Sequence, residues 1–120
     1  MNKKILIIEE KKVFGDVLSR CFAEEGHMIS VVPQYLQGLE SVAREKPDVV
    51  LMHVTRPGQD EMDALARIKG NNADTDVILV TGYGNLETAV EAMKLGAVDY
   101  ITEPFDLEYI KNLIVQCLEK

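Results

Sequence analysis

Four stretches of this chain set chemically capable side chains at the ends of apolar runs. Glu9-Glu10 follows the run at 5–8, His53 follows Val49-Val-Leu-Met52, Thr81-Gly82 follows Val77-Ile-Leu-Val80, and Glu103-Pro104 follows the run at 98–101. Pro57-Gly58, a turn signal, comes shortly after His53. An imidazole among carboxylates has three outlets. It can share a charged hydrogen bond, with Glu103 as the expected partner, or it can pack or turn to solvent. It can also join Glu9 and Glu10 in ligating Zn²⁺ or a neighbouring transition metal, with Glu10 and His53 the weak candidates. No second histidine supports that last outlet. His27, after Gly26, is expected at the opposite edge as an ordinary surface residue. Neither a phosphate-binding loop nor a nucleophile–base pair occurs, and the chain is read as no enzyme.

The elements that must position these residues are legible from hydrophobic pattern. Runs at 5–8, 28–32, 49–52, 77–80 and 98–101 are continuous rather than alternating, as parallel strands covered on both faces require. Between them apolar residues recur at helical spacing: Val13, Phe14, Val17, Leu18, Cys21 and Phe22, then Leu36, Leu39, Val42 and Ala43. Met62, Leu65, Ala66 and Ile68 predict a third helix, Leu86, Ala89, Val90 and Met93 a fourth, and Leu107, Ile110, Leu113, Ile114 and Cys117 a fifth. Gly26, Pro47, Gly70-Asn-Asn and Gly96 supply the stops. Repeated strand–helix units with right-handed crossovers give a parallel sheet with helices on both faces. The loops following the strands then meet at one edge, the usual site in an open α/β sheet.

At 120 residues the chain has length for one domain, 1–120. A 47% hydrophobic fraction excludes a disordered acidic tail, and no run approaches the roughly 20 apolar residues that span a bilayer. With no signal-peptide pattern, a cytoplasmic location without membrane contact is expected. The net charge of −7 argues against direct nucleic-acid contact and points to a protein or cation. Cys21 and Cys117 are read as reduced core residues.

With the loops placed, the chain resembles the receiver domain of bacterial two-component response regulators. The stretch Thr81-Gly-Tyr-Gly-Asn-Leu-Glu-Thr-Ala-Val-Glu-Ala-Met-Lys-Leu-Gly-Ala-Val-Asp-Tyr-Ile-Thr-Glu-Pro-Phe105 is most similar to receivers of sigma-54-dependent transcriptional activators. The resemblance implies a flavodoxin-like, doubly wound (βα)5 fold with a five-stranded parallel sheet in order 2-1-3-4-5. It implies helices one and five on one face and two to four on the other. It also implies a phosphoacceptor aspartate ending strand three, an acidic pair holding Mg²⁺, a hydroxyl ending strand four, and a lysine before a cis-proline. Glu9 and Glu10 match the acidic pair, Thr81 and Tyr100 the switch positions, Gly82 the small residue giving phosphate access, and Pro104 the cis-proline. Pro57 and Gly58 match the loop after the acceptor.

Two essential positions depart: His53 stands for the phosphoacceptor and Glu103 for the lysine. Glu61, beside Asp60, is a lesser departure where receivers carry glycine. Imidazole is a poor Mg²⁺ ligand, and a carboxylate in the lysine's place repels a phosphoryl group. Mg²⁺ binding is therefore expected to be weak or absent and aspartyl phosphorylation lost. The expected function is a degenerate receiver serving as a phosphorylation-independent interaction or dimerisation module. The alternative is a pH- or metal-sensing domain built on His53, Glu9, Glu10 and Glu103. Expected partners are an output domain, a kinase or a second copy. They would meet a face of helix four, strand five and helix five offering Glu87, Glu91, Lys94, Tyr100, Glu108 and Lys111. Thr55 and Thr102 are read as plain loop hydroxyls.

Overall fold

The computed structural model describes residues 3–54, 59–82 and 85–119. Its elements alternate: β1 (Lys4–Ile8), α1 (Lys12–Ala23), β2 (Met28–Val32), α2 (Tyr35–Glu45), β3 (Val49–Val54), α3 (Gln59–Asn71), β4 (Asp76–Thr81), α4 (Leu86–Lys94), β5 (Asp99–Thr102) and α5 (Leu107–Leu118). All strand pairs are parallel, in the order β2-β1-β3-β4-β5. This is the flavodoxin-like receiver fold.

The unbroken apolar strands follow from burial on both sides. In β1, Ile5 and Ile7 enter the core beneath α1 and α5, together with Leu18, Phe22, Ile110, Ile114 and Cys117. Leu6 and Ile8 point the other way, into the core shared with Val42, Leu65, Ile68 and Ala92 of α2, α3 and α4. Residues at opposite parity on one strand thus serve two cores, which an alternating polar strand could not do. Cys21 packs against the α1–α5 side with Cys117.

Helix ends match their residue types. Gly26 and Gly96 adopt positive φ (88° and 103°), and Lys46 takes the left-handed conformation at the end of α2, just before Pro47. Gly70 is not a stop, since α3 continues through Asn71. A glycine late in a helix is tolerated because the last turn carries few remaining intrahelical bonds.

The helical stripes need correction. Leu18 and Phe22 are fully buried in α1, but Val13 is 75% exposed. In α4 only Ala92 is buried, while Leu86, Val90 and Met93 lie open to solvent. Leu36 of α2 is likewise exposed. Spacing shows which residues share a helix flank; it does not show how far the sheet extends beneath that flank. His27 is also not the plain surface residue expected. Its Nδ1 accepts the Lys3 backbone N–H at 3.2 Å, its ring meets Phe22, and 14% of its side chain is exposed.

The buried and exposed parts of α1 should respond differently to truncation. Leu18→Ala is expected to cost about 2–5 kcal/mol of unfolding free energy. Val13→Ala should stay within about 0.5 kcal/mol. Urea unfolding of both variants checks the assignment.

Candidate functional site

The carboxyl ends of β1, β3 and β5 converge on one imidazole. The strand β3 runs through Val54, so His53 lies inside the ladder, paired with Val80, rather than in the loop beyond it. That register fixes its backbone, and rings fix its side chain. Phe14 of α1 stacks on His53 with centroids 5.5 Å apart and planes inclined by 30°. Phe105 in turn meets Phe14 edge-on at 5.4 Å. Neither phenylalanine was singled out for the site from sequence. Their signal is positional: each lies a few residues beyond a strand end that carries one of the glutamates.

Glu9 extends β1 by one residue, its N–H donating to Val32 O at 2.9 Å. Its side chain is closed to water (0% exposed). One oxygen accepts the Lys11 backbone N–H at 2.7 Å, and the other lies 2.5 Å from His53 Nδ1. Those last two atoms are buried and have no hydrogen-bond partner apart from one another. On the far side, His53 Nε2 faces Glu103 Oε1 at 3.4 Å. The contact expected from sequence is present, but it is the longer of two: the main partner of His53 is Glu9. Glu103 is 41% exposed and free to relax toward water, whereas Glu9 is enclosed.

A ring with a carboxylate at each nitrogen favours a proton on both. The pKa of His53 is accordingly raised, first by its hydrogen bond to Glu9. Burial opposes this, and the charges of Glu9 and Glu103 and the weaker bond to Glu103 reinforce it.

The loop after β5 is held from below. Glu103 N–H donates to Thr81 O at 2.8 Å, and the Glu103–Pro104 peptide is cis. The second Glu103 oxygen, Oε2, lies over Gly82 where a β-carbon would collide with it. Gly82, Glu103, Pro104 and Phe105 line an open cleft. Thr81 is fully buried as the last residue of β4, beside Val54 and Thr102. Tyr100 is half-buried, its hydroxyl 2.9 Å from Thr88 Oγ1. Thr88 in turn forms the capping box of α4 with Asn85.

Glu10 does not join the imidazole; its side chain is exposed. Its charge acts instead on Tyr35, whose hydroxyl is pushed up by burial and then by Glu61, Asp60 and Glu10. Glu61 is itself buried in the first turn of α3. Pro57, Gly58 and Thr55 fall outside the described residues.

A metal does not suit this arrangement. Mg²⁺ demands an octahedron of oxygens, and the central group here is a nitrogen heterocycle. A transition metal between Glu9 and His53 would need each donor at about 2.0–2.1 Å. It would have to prise apart atoms now 2.5 Å from one another. Among the described residues, no group of three His, Cys, Asp or Glu side chains is arranged to hold a metal ion.

Residues 5–115 match the response regulator receiver domain family. Sporulation initiation phosphotransferase F of Bacillus subtilis is 34% identical over 118 residues, spanning 98% of this chain and 95% of that protein. Regulatory protein AtoC of Escherichia coli is 40% identical over 113 residues, which are 94% of this chain but 24% of that longer protein. A response regulator from Thermotoga maritima has a TM-score of 0.87 over the full length of both chains at 22% identity, a likeness of fold. The receiver domain of NtrC4 from Aquifex aeolicus has a TM-score of 0.81 at 27% identity, over 98% of this chain and 97% of that one.

The raised pKa of His53 makes stability depend on pH in a defined direction. Its contribution is complete below the ordinary value of 6.5 and disappears as pH rises through the higher folded value. Urea midpoints of the wild type and His53→Gln should therefore differ most in mildly acidic buffer and draw together toward alkaline pH. Parallel curves would show that the imidazole carries no extra proton in the folded state.

Proposed function

The chain belongs to the response regulator receiver domain family of two-component signal transduction, and from that membership we propose that it is a receiver without aspartyl phosphorylation. It works as a phosphorylation-independent protein-interaction or dimerisation module. The observation that carries this reading is the line Glu9–His53–Glu103, with the outer carboxylate turned over Gly82.

Phosphoryl transfer to a receiver is positioning and charge neutralisation more than covalent chemistry. The acceptor supplies a carboxylate oxygen, a divalent cation bridges it to the phosphoryl group, and a lysine neutralises the far side. Here a nitrogen occupies the acceptor position, already engaged on both sides, and an anion occupies the lysine position. Two unit charges 4 Å apart near a protein surface interact by about 4 kcal/mol, so exchanging attraction for repulsion there raises the barrier steeply. The fold is kept while the reaction is removed.

An interaction role is supported by α4. Leu86, Val90 and Met93 recur at helical spacing on its exposed flank, and Tyr109 of α5 is exposed as well. The charged residues Glu87, Glu91, Lys94, Glu108 and Lys111 lie on the same two helices. An apolar stripe rimmed by mixed charge suits a protein partner: an output domain, a kinase or a second copy.

Acetyl phosphate with Mg²⁺ should leave the intact mass of the wild type unchanged. His53→Asp alone should also stay unlabelled, since the new carboxylate faces both Glu9 and Glu103. Glu103→Lys alone lacks a nucleophile. The double variant His53→Asp/Glu103→Lys should gain a phosphoryl group, slowly because Glu9 and Glu10 are longer than aspartates. Gain in the double variant alone is the non-additivity of groups acting as one unit. A phosphorylated wild type would overturn the reading.

A further inference from the structure

The sheet has two edges, β2 and β5. Strand edges are ordinarily guarded by charge, by proline or by a covering element, because their outward N–H and C=O groups pair readily with another strand. The β5 edge is guarded: it is four residues long and opens on Asp99, whose carboxylate accepts the Tyr109 hydroxyl at 2.6 Å. The β2 edge is not. Met28-Ile-Ser-Val-Val32 carries no charge, Pro33 comes only after it, and Met28 and Val31 are 59% and 40% exposed. Met28 N–H donates to Lys3 O, and Val32 O accepts from Glu9 N–H. Every second residue of a parallel strand bonds the neighbouring strand. Met28, Ser30 and Val32 are therefore turned to β1, and the N–H and C=O groups of Ile29 and Val31 point away from the sheet.

We propose that this edge pairs with the β2 edge of a second copy of the chain, antiparallel and with Ser30 on the two-fold axis. The strand is complementary to itself in that register. Ile29 of one copy faces Val31 of the other and exchanges both hydrogen bonds with it, while Met28 faces Val32. The outward backbone groups are thereby satisfied, and every side-chain pair across the seam except Ser30 with Ser30 is apolar. The charge bonded to this strand is already countered: Glu45, which accepts the Ser30 hydroxyl at 3.1 Å, is held by Arg44 at 3.0 Å. The edge is also backed. Val31 sits against Gly15 of α1, where a β-carbon would come within 2.9 Å of it. Five residues a side make an interface below roughly 1,200 Å² in total, so the dimer is weak and reversible. It forms at the opposite edge of the sheet from β5 and leaves the α4 flank for a different protein.

Sedimentation of the full chain over a concentration series tests this. The mean mass of the wild type should rise with concentration, and more so in added salt, which screens the charge of −7 on each copy. Ser30→Lys sets like charges opposite one another at the axis and should keep the chain monomeric. It also makes the net charge less negative, so general repulsion alone would predict the reverse. Val31→Pro should act alike, since it removes an outward N–H and leaves the bonds to β1 intact. Val90→Lys on α4 should dimerise as the wild type does. In the wild type, hydrogen exchange at the Ile29 and Val31 amides should slow as concentration rises, and this readout decides where a variant does not fold. A wild type that stays monomeric up to millimolar concentration overturns the proposal. So does a dimer indifferent to Ser30→Lys, a dimer lost in Val90→Lys, or exchange at the two amides that ignores concentration. These outcomes are separable from the functional reading: a phosphorylated wild type removes that reading and leaves the β2 interface standing.

Discussion

Glu9 takes a carboxylate out of water at the end of β1, and a buried anion of this kind costs several kcal/mol unless a cation and hydrogen-bond donors meet it. The Lys11 N–H supplies one donor and the His53 ring, its pKa raised by this contact, supplies the other. Everything else at this edge of the sheet follows from that requirement. The ring must stand upright in β3 to reach Glu9, Phe14 must cover the face so exposed, and the opposite nitrogen is left pointing at the loop after β5. Glu103 answers that second nitrogen. The three loop ends are joined through one imidazole, and the contact is closest where solvent is most completely excluded.

The two departures from the receiver pattern make sense only as a pair. Histidine opposite lysine would set two cations beside each other, and aspartate opposite glutamate two anions. Histidine opposite glutamate restores attraction with the signs reversed. The acidic residue of β1 is compatible with both arrangements: it can serve as part of an acidic cluster or, as here, as the partner of an imidazole. This explains how both positions could differ from the family pattern while the carboxyl-end loops stayed in register with the strands that carry them.

Much of this was legible in the sequence because topology does the gathering. Apolar runs continuous over four or five residues required two-sided burial, hence parallel strands, hence a common edge for Glu9, His53, Thr81 and Glu103. The ranking of the two glutamates was not legible. Glu9 follows β1, which pairs with β3, and Glu103 follows β5, which β4 separates from β3, yet long side chains from either loop can reach the ring; depth is what divides the enclosed Glu9 from the half-open Glu103. The aromatic cover was missed because Phe14 looks from its spacing like any residue of an amphipathic stripe. The exposed flank of α4 was missed for the opposite reason: its apolar residues have core-like periodicity, and nothing in a periodicity says where the sheet stops.

The hydroxyl of Thr88 has one proton and two lone pairs, and its neighbours draw on them. Asn85 O and Oδ1 lie 3.1 and 3.2 Å away as acceptors, while Asn85 N–H approaches at 3.4 Å and the Tyr100 hydroxyl at 2.9 Å. Either hydroxyl can be the donor between Tyr100 and Thr88, so the Thr88 proton goes to Asn85 or to the phenol. A hydrogen-bonded chain therefore runs from the middle of the last strand to the first turn of α4. The amide of Thr88 is bonded to the Asn85 side chain at that same helix end. Turning the phenol ring away thus takes a partner from the residue that caps the helix end.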